Sequence, residues 1–221
     1  MCQGTCRGTT VSACEGWFTR RCLLAVLPLW IIYLGLGFAL DPPSSGRPEQ
    51  WPLLLLLALT TTPFQAAGEE YLCRGWLVQN VAVWFAHPRV AWAVSTAVST
   101  AVFALVHGSL DPWVLLDIAA LGVVACYLNR RTGGLEAGIA LHVANNVLLG
   151  IATTTIGGYE ESFVSASSSG SPVVLLTSLV ALTLASLLVL RAGRRAGIQR
   201  HTGPDGALAA AISARPALPG S

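Results

Sequence analysis

A polytopic, all-α transmembrane helical bundle of about six to seven helices is the fold this sequence predicts, and three observations predict it. Hydrophobic residues make up 53% of the 221 and charged residues only 11%, where a soluble domain carries about 25% charged residues. Mean hydropathy is +0.62. Apolar runs long enough to cross a bilayer, about 17 to 25 residues each, recur along the chain, and backbone groups in hydrocarbon must pair internally, which makes such runs helices. So few charges cannot coat a globular surface, which argues against a soluble enzyme. A net charge of +2 is too small to point to nucleic acid, and the high hydrophobic content excludes an intrinsically disordered chain.

In chain order, the first span covers residues 23–40. A small-residue site at Gly37-Phe38-Ala39 fits a signal peptide, but the run is long for one, so a retained helix is expected. A second helix starts at Trp51 and runs through five leucines toward Gln65. The apolar stretch 76–86 is short, either interfacial or a continuation of that helix. Further spans cover 91–107, 113–128, 135–156 and 173–190. Residues 1–22 are read as an N-terminal cytoplasmic segment, disordered or with its start misassigned. The membrane domain is residues 23–190, and 191–221, rich in Gly, Pro and Ala, form a disordered cytoplasmic tail.

Every one of the 13 basic residues is arginine. Arg20 and Arg21 precede the first span, Arg130 and Arg131 close the 113–128 span, and Arg191, Arg194, Arg195 and Arg200 follow the last. The loop 157–172 has no basic residue and carries Glu160 and Glu161. The positive-inside rule then places both termini and the 129–134 turn in the cytoplasm, here of a bacterial plasma membrane. The cysteines at 2, 6, 14 and 22 lack the tight pairs of a zinc site. Cys73 and Cys126 lie in apolar context and read as small buried hydrophobes.

Charged and polar residues within membrane helices are functional candidates by default. Glu70 and Arg74 are four apart, so they share a helix face and can pair, leaving Glu69 free to face a cavity. An acidic pair at the lipid boundary has the desolvation and mutual repulsion that tune a carboxylate for general-base work. Of four histidines, His87 lies in a His-Pro-Arg turn and His201 in the tail. His107, one turn after Phe103, and His142, with Asn145 and Asn146 one turn later, lie in apolar helices. Asp117 lies within a span and has no assigned role. A carboxylate, two histidines and an asparagine suit hydrolysis: one group activates water while others donate to the developing oxyanion. Zinc held by both histidines and a glutamate is the other option, although no H-E-x-x-H occurs. No G-x-S-x-G supports a serine nucleophile.

The set Glu69-Glu70-x-x-x-Arg74, Phe103-x-x-x-His107 and His142-x-x-x-Asn146, in this order on separate helices, resembles the CAAX protease and bacteriocin-processing (CPBP, or Abi) family of intramembrane proteases, which includes the type II CAAX prenyl endopeptidases. Gly75 and the Arg131-Thr132-Gly133 turn add to the likeness, which covers roughly residues 51–150. Cys73 stands where the family commonly has an aromatic. The resemblance implies that Glu69 and His107 activate water, that His142 and Asn146 stabilise the oxyanion, and that Glu70 and Arg74 shape the site, with Phe103 supporting it. Under its metal form, Glu69, His107 and His142 are the ligands of a zinc ion; otherwise there is no cofactor. The implied partners are the lipid bilayer and a membrane-associated peptide or protein substrate, with no nucleic acid. Two other readings stay open: a non-catalytic immunity or scaffold protein of the same fold, and a small proton-coupled transporter, against which the lack of internal repeats argues. One difficulty is geometric. If 91–107 and 113–128 both cross fully, His107 and His142 lie toward opposite faces, and convergence needs a short or tilted helix, an inward loop at 108–112, or a failure of the charge rule.

Overall fold

The computed structural model describes residues 11–195. What was expected of residues 1–10 and of 196–221, including Cys2, Cys6, Arg200 and the tail from His201, lies outside the described residues. The described residues form helices joined by loops, with five helices long and apolar enough to cross a membrane. They are α1 (Val11–Leu40), α5 (Pro88–Leu105), α6 (Pro112–Thr132), α7 (Glu136–Thr155) and α8 (Pro172–Arg195). The sixth rod is interrupted: α2 (Trp51–Thr60), α3 (Thr62–Glu70), a π-helical segment Tyr71–Leu77, and α4 (Val78–Ala82). Pro63, in the first turn of α3, cannot donate to the preceding turn and breaks the rod near Thr61. The stretch 76–86 is thus largely the continuation of the Trp51 helix, and the expected bundle is present.

α1 begins at Val11, well ahead of residue 23. Phe18, Cys22, Val26 and Trp30 recur every fourth residue and are all buried, so the packed face of this helix already begins ahead of the apolar run. α8 likewise continues past residue 190 to Arg195, with Arg194 and Arg195 in its last turn where cations suit the helix dipole. α6 is bounded by sequence signals at both ends. The Asp111 carboxylate accepts from the backbone N–H of Trp113 (2.9 Å) and Val114 (3.1 Å), and Gly133 closes the helix in the left-handed region at φ 83°.

α7 is the central element and packs against α1, α2, α3 and α6. Its inner face is small, with Ala137, Ala140 and Ala144 buried beside Leu141 and His142. Small residues let backbones approach closely where no hydrophobic force drives helices together. α5 offers a buried hydroxyl stripe, Ser95, Thr96, Ser99 and Thr100, and Ser99 Oγ donates to Cys73 O across to the π segment at 2.8 Å. Large apolar side chains such as Ile31, Ile32, Leu36, Leu53, Leu176 and Val180 point outward. With five apolar spans, this makes the chain an integral membrane protein. Asp117 of α6 faces Ser178 of α8 and Tyr33 of α1, a polar junction of three helices. Cys73 and Cys126 are buried free thiols, as their context implies.

Three loops meet at one end of the bundle. Glu161 accepts from Ser44 Oγ (2.6 Å) and Ser45 N (2.9 Å), Gly158 N donates to Ser45 O (3.1 Å), and Gly170 N donates to Asp111 Oδ1 (3.1 Å). The hydroxyls of Ser44 and Ser45 hold the Glu161 carboxyl below its usual range. Because the folded value is depressed, the clasp contributes fully above the ordinary Glu value of 4.5 and is lost as pH falls through the lower folded value. Glu161→Gln at neutral pH, and acidification of the wild type through that window, should both lower the protection of the Ser45 and Gly158 amides relative to their intrinsic exchange rate at the same pH, read by hydrogen-exchange mass spectrometry. Unchanged exchange in Glu161→Gln would show that the clasp does not hold these loops.

Candidate active site

The acidic motif lies where the interrupted rod changes its winding. Glu70 ends α3, and in the π segment that follows Val78 N bonds to Cys73 O, one residue further than an α-turn reaches. Such wide turns occur mostly as single-turn bulges within α-helices, frequently at functional sites. Gly75 lets this segment press on the loop before α7: a Cβ there would stand 3.2 Å from Leu135 Cδ1.

Arg74 and Glu70 pair as their spacing implies, Nη1 to Oε1 at 3.1 Å, with both side chains almost wholly buried. A buried pair needs further partners to offset its desolvation. The Arg74 guanidinium has one in the Phe103 ring, whose centroid lies 4.0 Å from Cζ. Gly122 makes room for it, since a Cβ there would stand 3.0 Å from Nη2. Glu70 Oε1 also meets His142 Nδ1 at 3.1 Å. One carboxylate oxygen therefore joins the π-wound rod to α7. Gly138 permits this approach as well, because a Cβ there would stand 3.0 Å from Glu70 Oε2 and 2.7 Å from Asn129 Oδ1, which accepts from Gly138 N at 2.8 Å.

His142 is 1% exposed and engaged at both nitrogens. Its Nε2 lies 3.1 Å from Asn146 Nδ2 and 3.6 Å from Glu69 Oε2. Glu69 is partly exposed; its Oε1 accepts from Gln65 Nε2 at 2.8 Å, while its Oε2 is buried with no hydrogen-bond partner among the described residues. His107 stands in the turn after α5, and its Nδ1 lies 2.6 Å from Phe103 O. A carbonyl only accepts, so Nδ1 carries the proton and Nε2 presents a lone pair.

Phe103 is the hub. Its ring meets His107 edge-on at 4.9 Å and His142 at 5.5 Å, besides carrying the Arg74 guanidinium. The histidines that a full crossing of 91–107 would separate are thus brought to one ring. α5 ends at Leu105, ahead of His107, and Ser109 in the following loop is fully buried. The helix is still long enough to span, and His107 lies in the turn just past its end. The three ligands named for a zinc ion do not form a ligand set. Among the described residues no group of three His, Cys, Asp or Glu side chains could hold a metal, and His142 has no free ring nitrogen to offer. Gln65, Asn129, Gly122 and Gly138 escaped the sequence reading. Gln65 alone had a signal, one turn before Glu69 on the same face.

Fold and site define a multi-pass helical membrane protein with a buried Glu–Arg–His cluster, extended by a partly buried Asn, at the junction of three helices. Residues 50–148 match the family model described as type II CAAX prenyl endopeptidase Rce1-like, which agrees with the CAAX protease resemblance that the motifs carry. The match contains all seven candidate site residues and leaves α1 and α8 outside it. The chain matches no curated protein and no solved structure.

Removing one partner of a buried pair leaves an uncompensated charge, which costs about 3–5 kcal/mol. Arg74→Met should therefore lower stability by about that much, and adding Glu70→Gln should recover part of the loss. Denaturant titration in bicelles measures both. A single-variant loss within about 0.5 kcal/mol would mean that the pair is not buried in the membrane-embedded protein.

Proposed function

We propose that this chain is an intramembrane endopeptidase that hydrolyses a peptide bond in a membrane-associated protein or peptide, by CAAX-type or bacteriocin-type processing, with Glu69 as the base. The observation that carries this reading is the Glu69 carboxylate: its Oε1 is held by Gln65, while its unpartnered Oε2 stands beside the His142–Asn146 pair. Glu69 takes a proton from water, and the His107 Nε2 lone pair accepts the other hydrogen and orients the molecule. The water oxygen bonds to the substrate carbonyl carbon, and the carbonyl π pair moves to its oxygen. One N–H of Asn146 Nδ2 is directed at His142, and the second donates to that oxyanion. When the tetrahedral species collapses, the C–N bond breaks and the leaving nitrogen takes the proton held by Glu69. His142 acts through Asn146, and Glu70 with Arg74 holds His142. The arginines at the α6 and α8 ends support the reading that both termini face the cytoplasm of a bacterial plasma membrane.

Purified wild type, Glu69→Ala and His142→Ala, incubated with a lipid-anchored peptide and followed by mass spectrometry, test the reading. A general base contributes about 10²–10⁴-fold, so Glu69→Ala should lose at least about a hundredfold. Equal cleavage by all three proteins would overturn the roles given to Glu69 and His142, and no cleavage by wild type above a protein-free control would overturn the proteolytic reading in favour of a non-catalytic scaffold. Wild-type turnover should also survive exhaustive chelation, since the donor set does not fit a metal. Loss of turnover restored by added zinc would overturn the metal-independent mechanism.

A further inference from the structure

His142 is linked to a tryptophan outside the Rce1-like segment. Trp30, on α1, is 2% exposed. Its indole Nε1 donates to Asn145 Oδ1 at 2.9 Å, Asn145 Nδ2 donates to Asn146 Oδ1 at 3.0 Å, and Asn146 Nδ2 meets His142 Nε2 at 3.1 Å. At the far end His142 Nδ1 meets Glu70 Oε1 at 3.1 Å.

The direction of this chain follows from its first member. An indole N–H donates and never accepts, so Asn145 must turn its oxygen to Trp30. Its amide nitrogen then faces Asn146, which must turn its own oxygen toward it. A reversed amide at either position would set two donors against each other. Asn146 consequently offers N–H to His142 Nε2, and the imidazole must meet it with a lone pair. Its one proton is left on Nδ1, pointing at the Glu70 carboxylate. Both ends agree, since a donor-only group starts the chain and an acceptor-only carboxylate ends it.

We infer that Trp30 is a positioning residue that selects the Nδ1-protonated tautomer of His142 and fixes the orientation of the Asn146 amide. The inference rests on the proteolytic reading for its consequence, because the Asn146 N–H left over by this arrangement is the one assigned to the oxyanion. It does not rest on that reading for its structural content. A Trp30 that merely filled space would tolerate Phe without altering the imidazole; a donor at the head of the chain would not.

The test uses the full chain in lipid nanodiscs with ¹⁵N-labelled histidine, the His142 signals being assigned by their loss in His142→Gln. Wild type should show a protonated Nδ1 and a lone-pair Nε2. Trp30→Phe keeps an aromatic ring but removes the donor, and Asn145→Leu breaks the chain one link further on with Trp30 intact. In both variants a population protonated at Nε2 should appear. The kcat should fall about three- to tenfold, the worth of one hydrogen bond, with KM within about twofold. If Trp30→Phe fails to fold, Asn145→Leu carries the same comparison. Wild-type His142 signals in the folded variants would overturn the inference. Wild type that folds with the expected tautomer but cleaves nothing would support the positioning role and overturn the proteolytic reading.

Discussion

A single buried carboxylate organises the molecule. Glu70 Oε1 stands 3.1 Å from the Arg74 guanidinium and 3.1 Å from His142 Nδ1, with all three side chains almost wholly buried. Such a group is tolerated only if its partners are positioned closely, because the alternative is an ion in a low dielectric. That requirement propagates outward. Arg74 needs a second partner and finds the Phe103 face; its bulk needs space and finds Gly122; Glu70 needs α7 close by and Gly138 permits it. The π-wound turn, the glycines and the aromatic hub are all consequences of placing one acid at the junction of three helices.

Around that constraint the site divides into a rigid half and an open half. His142, Glu70, Arg74 and Phe103 are buried and mutually held. Glu69, His107 and Gln65 are more exposed, with one carboxylate oxygen and one imidazole lone pair uncommitted. The buried half is not fully satisfied either, since Glu70 Oε2 and the Arg74 nitrogens also lack hydrogen-bond partners among the described residues; what sets Glu69 and His107 apart is their exposure. Adjacent residues of one helix, Glu69 and Glu70, fall on opposite sides of this division because successive helical residues point about 100° apart.

The bundle itself was legible. Few charges and recurrent apolar runs left helices across a bilayer as the only way to satisfy the backbone. The pairing of Glu70 with Arg74 and the candidacy of His107 and His142 followed from helical spacing and from the cost of polar groups in lipid. The π turn at Tyr71–Leu77 carried no sequence signal, since an α-helix through the same residues satisfies the local preferences equally well. The roles of Gly122 and Gly138 were hidden for a similar reason: each depends on a side chain far away in sequence.

The residue types alone determined that this is a polytopic helical membrane protein and singled out Glu69, Glu70, Arg74, Phe103, His107, His142 and Asn146 as candidates. Those are local and compositional properties, fixed by hydropathy, helical period and functional groups. Tertiary structure decided how the two histidines meet, that His142 has no nitrogen free for a metal, and that an amide relay from Trp30 on α1 reaches the site. These depend on where α5 stops and how α1 packs on α7. Contacts between helices far apart in sequence set both, and no local spacing encodes them.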